Sequence, residues 1–310
     1  MLFNLGLLVD YPVVNLKIII DGVMIGALFA LAAYGLALVW GVMNVKNLAQ
    51  GDFVIAGGYV SWALVRTGWL QSIGLSDNIA ALIGVPVAFL VMAGIGWIAF
   101  RTIIVRVIER DVFTSLLATF GLAIMMAQIL NLLFGSDTQS LKLEYDTLYF
   151  ADGLIDVPIA KLVGVCMAAA LALGVILFMK NSRMGQAIRA TAQDARAAQV
   201  LGIDTDRVYA FTFSLNAAIC GAAGAIIVMV WVIQPFYGMT YSIRAFVIVT
   251  AAGLGNLPGV IAAGLGIGAA EQYGSHIFGI SYQQAIAVLL LLLVLFVRLM
   301  QQRRKRQVLQ

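Results

Sequence analysis

Five ionisable side chains lie inside otherwise apolar runs of this chain: Asp21, Arg66, Arg244, Glu271 and His276. A charge at membrane depth costs several kcal/mol, so each needs a physical reason. Arg66, Arg244 and His276 fall near run ends, where a long or amphipathic side chain reaches the headgroups. Asp21 lies close to the outer end of the first run. Glu271, after GLGIGAA, either ties two helices together or faces a central cavity. Two further stretches interrupt the apolar pattern. WGVMNVKNLAQGDF (40–53) brings Asn44, Lys46, Asn47, Gln50 and Asp52, and GLGNLPG (253–259) brings Asn256 among glycines and Pro258.

None of these groups is arranged for bond-making chemistry. His276 has no acid or thiol at catalytic or metal spacing. GxxxxGK[ST], HExxH and GxSxG are missing, so the chain carries no nucleotide loop of that kind, zinc protease site or nucleophile elbow. No acidic pair shares a helix face within a run. Non-helical backbone at membrane depth must instead be buried in protein or line water. Paired breaks in the two halves of a chain mark a route through a membrane. On that reading Asn44, Asn47, Gln50, Asp52, Asn256 and Glu271 are candidates to line a translocation path. The plainer reading makes each break a short surface loop, with Lys46 at the cytoplasmic headgroups. Both stay open at this stage.

Composition decides the solvent. Of 310 residues, 62% are hydrophobic and 11% charged, with mean hydropathy +0.99. Soluble domains carry about 25% charged residues, so this chain is read as a membrane protein. The net charge of +4 belongs to span ends, where the positive-inside rule explains it, and not to nucleic-acid binding. Cys166 and Cys220 both sit in apolar runs and are read as core residues. The first basic residue is Lys17, so no charged leader of a cleavable signal peptide is expected.

Spans need about 20 apolar residues. Runs at 18–43, 52–70, 79–100, 113–134, 159–179, 208–232 and 281–299 qualify. The stretch 244–280, broken by GLGNLPG, is too long for one span and barely long enough for two, and reads as a hairpin of short helices. The expected fold is an all-α integral membrane protein, a polytopic bundle of eight or nine segments with broken or short helices. Basic residues place 101–110, 180–207 and 298–306 inside. The acidic segment 136–157, with Asp137, Glu144, Asp146, Asp152 and Asp156 against Lys142, reads as external, which puts the N-terminus outside. GxxxG spacing at Gly22/Gly26, Gly255/Gly259 and Gly264/Gly268 predicts close helix packing.

One stretch has cytosolic character and helical order: GQAIRATAQDARAAQVLGIDTDRVYAFTF (185–213). On a 3.6 period Ile188, Ala192, Ala195, Ala198 and Leu201 form one stripe, with Arg189, Gln193 and Arg196 on another face. Gly202 stops the helix, and Asp204 or Thr205 caps the next. Such a helix either docks into a partner's groove or lies on the headgroups.

RATAQDARAAQVLGIDTDRVYAFTF resembles the coupling-loop region of permeases of the high-affinity branched-chain amino acid ABC transporters. GALFALAAYGLALVWGVMNVKNLAQGDFVIAGGY is similar to the N-terminal block of that family, and RAFVIVTAAGLGNLPGVIAAGLGIGAAEQY to its Gly-rich third block. Asp52 stands where many relatives carry Glu, and Gln50 where many carry His. The resemblance implies one permease domain over 1–310 with a cytoplasmic coupling loop at 180–207. It implies a second permease, similar or identical, two cytoplasmic ATPases and an external (periplasmic) binding protein as partners, in a bacterial inner membrane and without nucleic acid. Arg189, Asp194, Ala195, Ala198, Gly202 and Ile203 would belong to the ATPase-docking loop. ATP and magnesium would sit on the partners, and this chain would bind no cofactor and catalyse no reaction. Family substrates are leucine, isoleucine and valine, and in some branches other amino acids, short amides or urea. The rival expectation is an ion-coupled secondary carrier with Glu271 as its cation or proton site.

Overall fold

The computed structural model describes residues 12–108, 110–141, 143, 145–150, 155–253, 256–279 and 282–308. Lys142, Glu144, Asp152, Leu254 and Gly255 lie outside the described residues, as do the side chains of Arg303, Arg304, Lys305 and Arg306, so the Gly255/Gly259 motif falls there too. Inside hydrocarbon every backbone N–H and C=O must be paired within the segment, so the apolar runs become helices. They are α1 (Pro12–Met43), α2 (Gln50–Arg66), the short α3 (Trp69–Ser72), α4 (Asp77–Thr102), α5 (Val112–Phe134), α6 (Ile159–Asn181), α7 (Arg183–Gln193), α8 (Ala195–Val200), α9 (Thr205–Val230), α10 (Gly238–Ala252), α11 (Leu257–Phe278) and α12 (Gln283–Val308).

Among the described residues five helices are long and apolar enough to cross a membrane alone: Val13–Met43, Asp77–Arg106, Val112–Phe134, Ile159–Asn181 and Thr205–Val230. Pro235–Ala252 with Leu257–Phe278, bent by 120°, is a sixth candidate. The expected count of eight or nine segments, broken and short helices included, is therefore not established. α2 has 17 residues because it starts at Gln50, buried within the bundle, and the apolar part of α12 covers only Ala285–Met300.

The bundle is layered. In α1 and α9, 89% and 83% of the apolar window is buried, against 28% in α5 and 22% in α6. The outer helices turn Leu90, Ile98, Phe113, Leu132 and Leu173 outward. In water that surface would aggregate; in a bilayer it meets acyl chains. The inner helices touch through small residues. A Cβ on Gly26 would strike the Gly264 carbonyl oxygen, and one on Gly268 would strike Gly22 and Gly26. The GxxxG pairs Gly22/Gly26 and Gly264/Gly268 thus face each other across α1 and α11, the closest form of packing available in lipid. Gly57 meets Gly221 and Gly224 meets Val54 where α2 crosses α9.

Residues 136–157, expected as a loop, hold two short strands the sequence reading missed. β1 (Thr147–Phe150) pairs antiparallel with β2 (Ile155–Pro158), Thr147 opposite Pro158. Ile155 and Val157 bury against Met24 of α1. Lys17 bonds Asp156, and Lys161 lies 2.7 Å from Asp21. The start of α1 and the acidic segment therefore occupy the same end of the bundle. The Lys17 ammonium beside Asp156 holds that carboxyl below the usual carboxylate range.

Candidate functional site

The chain leaves α1 at Met43 and re-enters the bundle at Gln50. Asn44 turns it with φ 53°, a left-handed conformation that Asn adopts more readily than most other non-glycine residues. The freed backbone groups are then taken up one by one. Leu48 N donates to Thr119 Oγ1 at 3.2 Å, and that hydroxyl lies 3.3 Å from the Lys46 carbonyl. Ser242 Oγ donates to the Leu48 carbonyl at 2.7 Å and accepts from Gly51 N at 2.8 Å. Asn47 Oδ1 accepts from Ala49 N at 3.1 Å. Gln50 Nε2 reaches the Ala32 carbonyl at 2.8 Å, Asn216 Oδ1 at 3.1 Å and Cys220 Sγ at 2.8 Å. This break is thus sealed inside protein, with Asn47, Gln50 and Asp52 buried and Asn44 exposed. Thr119, Asn216 and Ser242 complete the knot; they come from three different helices, and their convergence had no local signal.

Asp52 lies in the first turn of α2, and its carboxylate presses on Gly238, the first residue of α10. Two helix N-termini, each with partial positive charge, therefore flank one buried acid. Asn256 does something simpler: it is exposed, and its Oδ1 caps α11 by accepting from Gly259 N at 3.1 Å.

Arg244, expected near an interface, is instead 7% exposed within the bundle. The cause is α10, which begins inside at Gly238 and carries Arg244 between α1 and α11. Its Nε lies 3.3 Å from Glu271 Oε2. The contact is an ion pair without hydrogen-bond alignment, since Arg244 Nε and Glu271 Oε1 have no hydrogen-bond partner among the described residues. The guanidinium lies over the Phe29 ring, 4.6 Å from its centre. Of the two readings of Glu271, the structure shows it joining α11 to α10. Arg66 is exposed at the end of α2, as expected.

The polar segment is two helices, not one. Ser182 caps α7 by accepting from Gly185 N at 2.8 Å. Asp194, with φ −155°, breaks the run and caps α8, accepting from Arg196 N at 2.9 Å and Ala197 N at 3.0 Å. Gly202 adopts φ 84°; its N–H donates to the Gln199 carbonyl and that of Ile203 to the Ala198 carbonyl, a Schellman closure. Asp204 caps α9 through Arg207 N at 3.1 Å. The break at Asp194 resets the helical phase, so the expected stripe divides. Ile188 and Ala198 are buried against the bundle, while Ala192 and Leu201 face out and Ala195 and Ile203 are half-buried. Arg189, Asp194 and Gly202 are exposed. Val200 and Leu201, 87% and 80% exposed, form a bare apolar tip between two capped turns.

Comparison with known proteins bears on this arrangement. The chain is 31% identical over 284 residues to the high-affinity branched-chain amino acid transport system permease protein LivH of Salmonella typhimurium, covering 89% of this chain and 91% of that one. Identity to the LivH of Escherichia coli K12 is 30% over the same shares. To BraD of Pseudomonas aeruginosa, a high-affinity branched-chain amino acid transport system permease protein, it is 27% over 293 residues, 91% of this chain and 94% of BraD. No solved structure matches significantly. Residues 18–296 match the family described as branched-chain amino acid transport system, permease component. The chain belongs to that family: it is a multi-pass transport subunit of the inner membrane and not an enzyme.

Proposed function

We propose that this chain is half of the membrane pore of an ATP-driven importer of branched-chain amino acids, working by alternating access. Residues 1–310 form one permease domain, and 180–207 is its coupling loop. A second permease, like or identical, completes the pore. Two cytoplasmic ATPases bind the loop and hold the ATP and magnesium; this chain binds no cofactor. An external binding protein delivers the substrate.

The observation that carries this reading is the α7–α8 pair. A segment built only to lie on lipid would turn its apolar stripe to the membrane. Here the stripe's two buried members, Ile188 and Ala198, pack on the bundle and fix the pair to α6 and α9, Ala195 is half-buried, and the small Ala192 faces out. What remains outward is the Val200–Leu201 tip, held rigid by the Asp194 cap and the Gly202 closure. A rigid knob on a rigid lever transmits a push, which suits docking into a groove on a partner. Arg189, Asp194, Ala195, Gly202 and Ile203 would flank the contact, with Ala198 beneath it as the packing anchor. The ion-coupled rival fits less well, because Glu271 already faces a cation in Arg244 and is not a free acid.

The test is reconstitution of the chain with the permease and ATPases that copurify with it, plus the cognate binding protein. ATP-dependent leucine, isoleucine or valine uptake is expected. Uptake restricted to urea or short amides would reassign the substrate. Uptake that persists without ATP and collapses with a proton uncoupler would overturn the importer reading.

A further inference from the structure

We propose that Arg244, with the apolar wall beside it, forms a subsite for the carboxylate of the amino acid in transit. This deepens the importer reading above and rests on it. A guanidinium carries five N–H donors in a planar fork. Arg244 is paired with Glu271, whose Oε2 lies 3.3 Å from Nε. The Arg244 Nε makes no hydrogen bond among the described residues. A buried cation whose fork is not fully engaged is costly unless something else engages it.

The surroundings supply both the place and the selectivity. Arg244 lines a pocket of about 470 Å³ between α10 and α12, with Thr240, Ile243, Val288 and Leu289. Ligand pockets run from about 300 to 1,000 Å³, so an aliphatic amino acid fits with room for water. Behind the guanidinium, on the side of Glu271, a cavity of only about 10 Å³ remains against Gly26, Gly264 and Gly268. Phe29 covers one face of the fork. Glu271 thus balances the charge from behind, Phe29 fixes the plane, and the open side meets the pocket. A carboxylate arriving there takes two parallel N–H···O bonds, the strongest geometry an arginine offers, while its branched side chain rests on Ile243, Val288 and Leu289. An amine lacking the carboxylate gains none of this.

The experiment uses the reconstituted complex with its binding protein. In Arg244→Gln alone, Glu271 is left as an unpaired buried charge, so Arg244→Gln/Glu271→Gln is the decisive variant because it removes both charges together. Expected is a fall in leucine uptake of at least tenfold in the double variant, with binding-protein-stimulated ATP hydrolysis retained. Near-normal uptake by the double variant would show the pair to be structural and overturn the subsite. A second measurement keeps the native pair: Val288→Cys is labelled with a charged, water-borne thiosulfonate. Expected is labelling that leucine slows and 3-methylbutylamine does not. Absence of labelling would mean that the pocket is lined by lipid, and equal labelling in the presence of leucine would mean that it is bypassed; either overturns the subsite. If the unaltered complex imports no amino acid at all, the importer reading itself falls.

Discussion

The carboxylate of Asp52 rests on Gly238, where α2 and α10 both begin. A Cβ on Gly238 would land on the Asp52 carboxyl oxygens. Gly238→Ala is therefore expected to destabilise the folded chain by about 1–3 kcal/mol through overpacking. Thermal unfolding in detergent measures this. Asp52→Ala in the same chain removes the obstructing group, so the double variant should recover part of the loss, read as a coupling energy between the sites. Strictly additive losses would refute the contact.

Ser242 is the keystone of the break after α1, because one hydroxyl serves both the Leu48 carbonyl and the Gly51 N–H. Ser242→Ala strands both groups in a buried setting, at about 1–3 kcal/mol for each unsatisfied group. Faster amide exchange at Gly51 in hydrogen-exchange mass spectrometry should accompany the lower melting temperature. A variant as stable as the parent would mean that water reaches the break.

The Val200–Leu201 tip separates coupling from folding. Val200→Asp/Leu201→Asp alters only exposed side chains, so stability should change by less than about 0.5 kcal/mol. ATPase co-elution and ATP-dependent uptake should both be lost. A double variant that still transports would remove the tip from the interface.

Gly202 tests the rigidity of the same element. Its φ of 84° favours glycine, and Gly202→Ala should cost on the order of 1 kcal/mol locally. The expected outcome is full insertion with weakened coupling, seen as ATP hydrolysis that exceeds transport. Unchanged stoichiometry would argue that the Schellman closure is incidental.

The β1–β2 hairpin responds to acid. Asp156 has its carboxyl held low by the hydrogen bond and charge of Lys17. Because the folded pKa is depressed, its stabilisation is present above the ordinary carboxylate value near 4 and is lost as pH falls through the lower folded value. The pair is partly exposed, so the effect is small and salt-sensitive. Asp156→Asn should reduce the parent's melting-temperature loss between pH 6 and pH 3; an identical pH profile would show that the pair contributes nothing.

How much of this was legible varies with the physics behind each feature. α1, α4, α5, α6 and α9 could be read because an unbroken apolar run has only one solution in a bilayer. The Gly202 closure and the Asp204 cap were legible because the signal is local, a residue type fixed by a backbone angle. Asp194 was not, since helical periodicity runs straight through it and only the side chain's turn back onto Arg196 and Ala197 shows the break. β1 and β2 were missed because four-residue strands carry little pattern. Arg244 was misplaced at an interface because its depth depends on where α10 begins, and that depends on Gly238 meeting Asp52 from another helix. The polar knot was half visible: Asn47, Gln50 and Asp52 stood out together, whereas their partners Thr119, Asn216 and Ser242 lie on three separate helices, far away in the chain, and only the packing brings them together.

The crossing of Gly22 and Gly26 with Gly264 and Gly268 has a mechanical consequence. Main chain lies directly on main chain there, with no cushion of side chains to deform. Sliding or rolling one rod over the other would drive carbonyl into backbone, so the two must travel as one stiff beam, with the β1–β2 hairpin bolted to it through Lys17. Any rocking of the bundle has to be absorbed at softer seams, and the one between α10 and α12, where the guanidinium opens, is the nearest that could hinge.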